Sequence, residues 1–301
     1  LLKSSNVKLP VIIVGNIGVG GNGKTPLVIH LIKLCQQQGL NPGVISRGYG
    51  GKLANDQQYP LNLNQYSPVE QTGDEPFLIY HRCNVPVVIG PDRVAHAKQL
   101  ESLGCDIVIA DDGLQHYKLK RDCEIIVIDG KRGFGNGLLL PAGPLREGQW
   151  RLSTVQHLVV NGEDSVGIVG DPKRMTLVAH EVINLVTGER CQIDEFRHDH
   201  QVINAAAGIG DPSRFFDTLK HSGFSLDNVK PFVDHHKFTK DDFHSFGVET
   251  PLLMTEKDAV KCNGFARDNW WYLAINASFS DSDNRKFLDS IETIKNSKNS
   301  N

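Results

Sequence analysis

The stretch VIIVGNIGVGGNGKTPLVIHLIKLC, residues 11–35, limits what this chain can fold into more than any other. Val11–Val14 are apolar without alternation, which predicts a short parallel strand buried on both faces. Leu27, Val28, Leu31, Ile32, Leu34 and Cys35 recur at helical spacing, and Gly39 stops the helix. The turn between them fits G-x-x-x-x-G-K-[ST] at every fixed position, with Gly18, Gly20, Gly21, Asn22, Gly23, Lys24 and Thr25 in the loop. Strand, loop and helix stand in the order that a phosphate-binding loop needs. Glycines let backbone N–H groups turn inward around phosphate oxygens, and the helix N-terminus adds partial positive charge. Lys24 is placed to reach the β- and γ-phosphates and Thr25 to bind Mg²⁺. Pro26 is tolerated because first-turn N–H groups lack helical partners. The plain alternative is a glycine-rich turn that holds no ligand.

The loop alone names no substrate, because GTPases and protein-positioning ATPases carry it too. One ATPase branch has a second lysine early in the loop, where this chain has Val19. GTPases read guanine through N-K-x-D. TEKD (255–258) follows a predicted strand, but Lys257 and Asp258 are adjacent, which disfavours guanine.

The rest of the chain repeats the alternation. Val44–Ser46, VPVVIG (85–90), DIVIADD (106–112) and EIIVIDG (124–130) read as strands, and 91–104 as a helix. Residues 52–75 read as a polar, irregular surface excursion and 133–148 as an ordered loop rich in Gly and Pro. Further strands follow in HLVVNG, MTLVAHEVINLVTGE, QVINAAAGIG, TPLLMTEKD and WWYLAIN, with helical segments near 212–222 and 239–246. The tail after Asp281 is polar and is expected to fray. The expected fold class is α/β. Residues 1–150 would form a P-loop NTPase-like doubly wound parallel sheet for nucleotide binding and catalysis. Residues 151–301 would form a second, smaller α/β domain, with a β-hairpin linker near 175–190.

Composition narrows the class further. With 40% apolar and 22% charged residues the chain has the profile of a soluble globular protein. A net charge of −3 gives no global attraction to nucleic acid. The six cysteines form no CxxC pair, which argues against zinc and for a reducing compartment. No run of about 18 apolar residues and no secretory signal is present. The chain opens on Leu1 without Met and reads as a trimmed or partial product.

Several acids and histidines stand out. Asp111 and Asp112 end a fully apolar run, where parallel sheets collect ligands and a carboxylate can hold Mg²⁺; Asp-Gly is also ordinary turn chemistry. Asp74 and Glu75, in TGDEP, would alone be a turn or a helix cap. Asp234, His235 and His236, in VDHHKF, fit either a functional cluster or a capped turn with one buried histidine. RHDH (197–200) reads as solvated, and Asp211 and Pro212 as the start of a helix. Lys118, Lys120, Arg121, Lys131, Arg132 and Arg146 surround the acid-tipped strands, as a solvated face or as a dock for an anionic substrate.

The motifs together resemble the tetraacyldisaccharide 4′-kinase family, the lipid A 4′-kinases of Gram-negative bacteria. The matching pieces are VGNIGVGGNGKTP, SRGYGG, GDEP, DDGLQH, DGKRGFGNGLLLPAGPLRE, AGIGDPSRFF, DHHKF and TEKDAVK, in the family's order across residues 11–261. The resemblance implies Mg²⁺-dependent transfer of the ATP γ-phosphoryl group to the 4′-hydroxyl of tetraacyldisaccharide 1-phosphate. The product would be lipid IVA. It implies peripheral work at the cytoplasmic face of the inner membrane, with no nucleic acid and no obligate protein partner. By position it makes Asp74 and His235 the catalytic pair, and Asp111 and Asp112 the metal acids with Thr25. It also offers Arg47, Gln115, His116, Arg121, Asn136, Arg146 and Glu147 as substrate contacts. Family members usually begin with a membrane-contacting segment, and this chain starts just after where that would lie.

Overall fold

A computed structural model describes residues 4–53, 58–165 and 167–299. The fully apolar runs become central strands. In the first half these are β1 (Val11–Gly15), β2 (Pro42–Ser46), the short edge strand β3 (Leu61–Asn62), β4 (Val87–Ile89), β5 (Ile107–Asp111), β6 (Cys123–Asp129) and β7 (His157–Asn161). They lie in the order β3-β4-β2-β5-β1-β6-β7, parallel except for β3. The chain winds outward from β1 to β2 and β4, returns to β5 beside β1, and crosses to β6 on the other side. The carboxyl ends of β1 and β5 therefore flank a reversal of winding, where open α/β sheets bind ligands.

Both faces of this sheet are covered. Ile12 and Val14 pack with Leu27, Leu31 and Ile32 of α1 (Lys24–Gln37), while Val11 and Ile13 pack with Ala97 and Leu100 of α4 (Arg93–Ser102). Asp92 caps α4, its carboxylate accepting from the N–H groups of Val94 and Ala95.

The sheet does not stop at residue 161. β8 (Lys173–Asn184) pairs parallel with β7 through Lys173–Met175, then antiparallel with β13 (Trp270–Ser278) through Thr176–Asn184. Its far end turns back into β9 (Arg190–Gln192), the hairpin expected near 175–190. Beyond β13 lie β12 (Leu252–Thr255), β10 (Val202–Ala207) and β11 (Ser225–Pro231), all parallel. Phe215, Phe216 and Leu219 of α6 (Pro212–His221) and Phe196 of α5 (Ile193–Asp199) cover one face of this second half. Phe238, Phe243, Phe246 and Trp270 fill the other.

Three expectations are corrected. The 52–75 stretch is not wholly irregular: it contains β3 and α2 (Val69–Thr72), and residues 54–57 of it lie outside the described residues. Asp74 opens a ten-residue helix, α3 (Asp74–Cys83), whose Pro76, Phe77, Leu78 and Ile79 are buried. The 239–246 segment forms a 3₁₀ turn, Lys240–Phe243, closed by a reciprocal cap between Thr239 and Asp242. The polar tail is a nineteen-residue helix, α8 (Asp281–Asn299), because Phe287, Ile291 and Ile294 form a narrow apolar stripe at i, i+4 and i+7 that docks in the α1 core.

Phe287 is 1% exposed. Phe287→Ala is expected to lower unfolding stability by about 3–5 kcal/mol. A urea midpoint equal to wild type would mean that α8 is not docked.

Candidate active site

The glycine loop leaves β1 and enters α1 as the sequence requires. Gly23 precedes the helix at φ 89°, and a Cβ there would stand 2.7 Å from Asn161 Nδ2, so only glycine fits. The loop is held from one side by the 133–148 segment. Val19 N–H donates to Pro144 O (2.9 Å) and Arg146 N–H to Ile17 O (2.6 Å). From the other side Arg132 donates to Gly21 O (2.7 Å) and to Asn22, and Asn161 Nδ2 donates to Asn22 O (3.2 Å). Lys24 Nζ lies 3.3 Å from Asn16 Oδ1 and 3.5 Å from Asp112 Oδ1. Thr25 is half-buried in the first turn of α1.

The two strand-end acids differ. Asp112, at φ 49°, is gripped by Arg146 at 2.9 Å. Burial opposes its ionisation, but Lys24 and Arg146 outweigh burial and hold its carboxyl below the ordinary value. Asp111 is 1% exposed, and among the described residues neither carboxylate oxygen has a hydrogen-bond partner. Burial, followed by repulsion from Glu75, pushes its carboxyl up to about 7. Beside it Arg93 is buried with Nε and Nη1 unpaired, and burial lowers its pKa to about 10. An acid with two free oxygens and a cation with free donors, both buried at one strand end, suit a metal and an anionic group.

Asp74 and His235, 161 residues apart, meet with Oδ2 3.2 Å from Nδ1. Two features bring them together. Gly73, at φ 85°, starts α3 so that Asp74 sits at the helix N-terminus, which favours a carboxylate; a Cβ on Gly73 would meet Tyr49 O at 2.5 Å. His235 occupies a left-handed turn (φ 59°) after β11, with the Tyr49 ring edge-on at 5.5 Å. Lys257 Nζ approaches His235 Nε2 at 3.4 Å, and Glu75 and Asp234 each at 3.6 Å. An ammonium can only donate, so Nε2 accepts and Nδ1 carries the proton toward Asp74. Lys261 Nζ, itself buried, lies 3.8 Å from Asp74 and 2.9 Å from Asp258. His236 turns away to Asp242 at 3.2 Å.

Of the other expected contacts, Arg47 is exposed and adds to the positive field around Arg93 and His116. Gln115 Nε2 donates to Asn16 O at 3.3 Å. His116 is half-buried, and burial followed by Arg93 and Arg47 lowers its pKa. Arg121 points inward to the carbonyls of Leu114 and Leu119 and to Glu124, and so braces the loop after β5. Asn136 ties its own loop, donating to Ala142 O and accepting from Leu138 N–H. Glu147 accepts from Tyr117 Oη and faces Arg151. Arg93, Lys257 and Lys261 were not singled out as site residues from sequence, and Arg132 was named only within the basic cluster; the adjacent Lys-Asp of TEKD and the Pro-Asp-Arg after β4 were the visible traces.

The Asp111 carboxyl binds its proton more tightly folded, at about 7, than at its ordinary 3.8. The stability it contributes is full below 3.8 and is lost as pH rises through about 7. Asp111→Asn cannot titrate. Without nucleotide or metal, the stability of wild type relative to Asp111→Asn is expected to fall steadily from pH 4 to pH 8 in denaturant titrations. A difference independent of pH would place an ordinary carboxyl there.

Comparison with known proteins is consistent along the whole chain. Residues 1–293 match the family described as tetraacyldisaccharide-1-P 4′-kinase. A tetraacyldisaccharide 4′-kinase of Colwellia psychrerythraea is 54% identical over 292 residues, 96% of this chain and 84% of that protein. The enzyme of that name from Pasteurella multocida is 48% identical, covering 98% and 88%. The crystal structure of LpxK from Aquifex aeolicus, solved in complex with ATP, superposes with a TM-score of 0.77 at 29% identity, covering 97% of this chain and 90% of that one. The chain belongs to the tetraacyldisaccharide-1-phosphate 4′-kinase family.

Proposed function

We propose that this protein transfers the γ-phosphoryl group of ATP to the 4′-hydroxyl of tetraacyldisaccharide 1-phosphate, giving lipid IVA in lipid A biosynthesis. The observation that carries the reading is the Asp74–His235 contact, made across the two halves of the chain and beside the phosphate loop, where Glu75 already acts on Asp111.

The residues divide the work as follows. The N–H groups of 18–23 and Lys24 hold the β- and γ-phosphates. Thr25, Asp111 and Asp112 are the donors we assign to Mg²⁺. Asp111 is the ready one, since both its oxygens are free, whereas Asp112 would exchange Arg146 or Lys24 for the metal. When bound, Mg²⁺ offsets charge on the phosphate oxygens. Asp74 accepts the proton of the 4′-hydroxyl as that oxygen attacks the γ-phosphorus and ADP departs. His235 donates from Nδ1 to Asp74 and so orients that carboxylate toward the acceptor. Lys257 fixes the His235 tautomer, and Lys261 places a cation 3.8 Å from Asp74. Arg47, Gln115, His116 and Arg146 are assigned to the sugar and its 1-phosphate, with Arg121, Asn136 and Glu147 supporting the loops that carry them. Residues 1–150 would serve as the nucleotide-binding domain and 151–301 as the domain that delivers His235 and Lys257. The site of action is the cytoplasmic face of the inner membrane, reached peripherally. Among the described residues no helix is long and apolar enough to cross a membrane.

The test is radiolabel transfer from ATP to the purified disaccharide 1-phosphate in mixed micelles. Lys24→Ala should abolish transfer in a folded protein. Asp74→Ala should lose about 10²–10⁴-fold in turnover with ATP affinity preserved. His235→Ala should lose less, and the double variant little more than Asp74→Ala, because members of one unit are non-additive. Multiplying losses would dissolve the pair. ATP hydrolysis without transfer to the lipid would point instead to a nucleotide-dependent switch.

A further inference from the structure

The loop that clamps the phosphate site has a second side. Leu138, Leu139 and Leu140 are 53%, 51% and 54% exposed, and Trp150 is 65% exposed. Isolated exposed apolar residues are ordinary on a protein surface, but three successive leucines with a tryptophan form a patch. Their backbone is fixed. Leu140 N–H donates to Leu145 O (2.8 Å), Leu145 N–H to Leu138 O (3.1 Å) and Gly143 N–H to Leu139 O (3.0 Å). Gln149, next to Trp150, packs on Gly137, its Nε2 3.5 Å from where a Cβ would stand. The leucines and the tryptophan thus stand on one built tip.

The exposed charges on the segments that carry the tip are cationic. Between residues 113 and 151 the exposed ionisable side chains include Lys118, Lys120, Lys131 and Arg132, while every acid in that range is buried or half-buried. The loop carrying Lys118 and Lys120 is tied to the tip's own loop by the bond from Tyr117 Oη to Glu147. An apolar end rimmed by cations complements an anionic bilayer, with phosphates for the cations and acyl chains for the leucines. Tryptophan suits the boundary between the two.

We propose that Leu138–Leu140 and Trp150 insert into the headgroup–acyl boundary of a membrane containing anionic phospholipid, with Lys118, Lys120 and Lys131 against its phosphates. The inference rests on the kinase reading for its choice of a lipid surface over a protein, since the acceptor is itself a lipid. It also gives the acceptor's position a physical basis. Arg146, whose N–H closes on Ile17 and whose side chain holds Asp112, lies six residues from Leu140 in the same loop. An inserted tip therefore sets the phosphate loop at the level of the headgroups.

The experiment uses the full chain and vesicles of phosphatidylethanolamine with phosphatidylglycerol, without ATP or acceptor. Trp150 emission should shift to the blue on vesicles and be quenched by lipids brominated on the acyl chains. Trp150→Phe should remove that response, because Trp270 is 1% exposed and Trp271 is half-buried. L139S/L140S should lower the vesicle partition coefficient by about tenfold or more at unchanged ATP affinity. Absence of quenching, or wild-type partitioning by L139S/L140S, overturns the proposal. So does a change in sedimenting mass in place of vesicle binding, which would make the patch a contact between copies. Failure of the kinase reading is read separately, as absence of transfer by wild type in detergent micelles.

Discussion

The site depends on one side chain that touches no part of it. Arg82, near the end of α3, reaches across to the second half of the chain. It donates to Glu256 Oε2 (2.6 Å), to Ile275 O (2.7 Å) and to Asn276 Oδ1 (2.7 Å). Both members of the ion pair are nearly enclosed, at 14% and 11% side-chain exposure. Burial still dominates at Glu256, whose carboxyl is pushed up to about 7 despite the guanidinium. Such a pair adds little net stability over an apolar one, but losing one partner costs about 3–5 kcal/mol, which makes it a device for register. What it registers is α3 (Asp74–Cys83) against α7 (Glu256–Ala259) and β13. With the C-terminal end of α3 fixed, its N-terminal Asp74 comes to rest beside His235 and Lys257.

The three acids at the centre stand among different neighbours. Asp112 is compensated twice over, by Lys24 and Arg146. Asp74 has the helix N-terminus, Lys261 and the His235 Nδ1–H. Among the described residues Asp111 has no hydrogen-bond partner for either oxygen, and burial pushes its carboxyl up to about 7. On the proposed reading Asp74 serves as base and Asp111 as metal ligand, and the two carboxylates accordingly stand among different neighbours.

Much of this was legible in the chain. The central strands were visible because a doubly covered sheet needs unbroken apolar runs, and β1, β5 and β6 supply them. The phosphate loop was visible because glycine, lysine and threonine occupy fixed places between a strand and a helix. Helix α3 was hidden because Asp74 and Glu75 at its start fit a turn as well as a helix cap, and the sequence does not choose between them. Helix α8 was hidden because its apolar stripe is three residues wide in a polar run, and only the neighbouring α1 gives that stripe a surface to meet. Lys257 and Lys261 could not be assigned, since a lysine's role depends on what stands opposite, and His235 and Asp74 come from other parts of the chain. The continuity of the sheet through β8 was likewise a tertiary fact, set by which strands flank it.

That strand has a mechanical consequence. The ladder passes from one half of the sheet to the other through three residue pairs, Val159–Lys173, Val160–Arg174 and Asn161–Met175. Other ladders of the sheet, such as β6–β7 and β8–β13, are longer, so this join rests on few backbone hydrogen bonds. Asp74 and His235 belong to opposite sides of it, and the join between those sides is carried as much by side chains as by backbone: Arg82 spans it to Glu256, Ile275 and Asn276, and α8 docks back on α1.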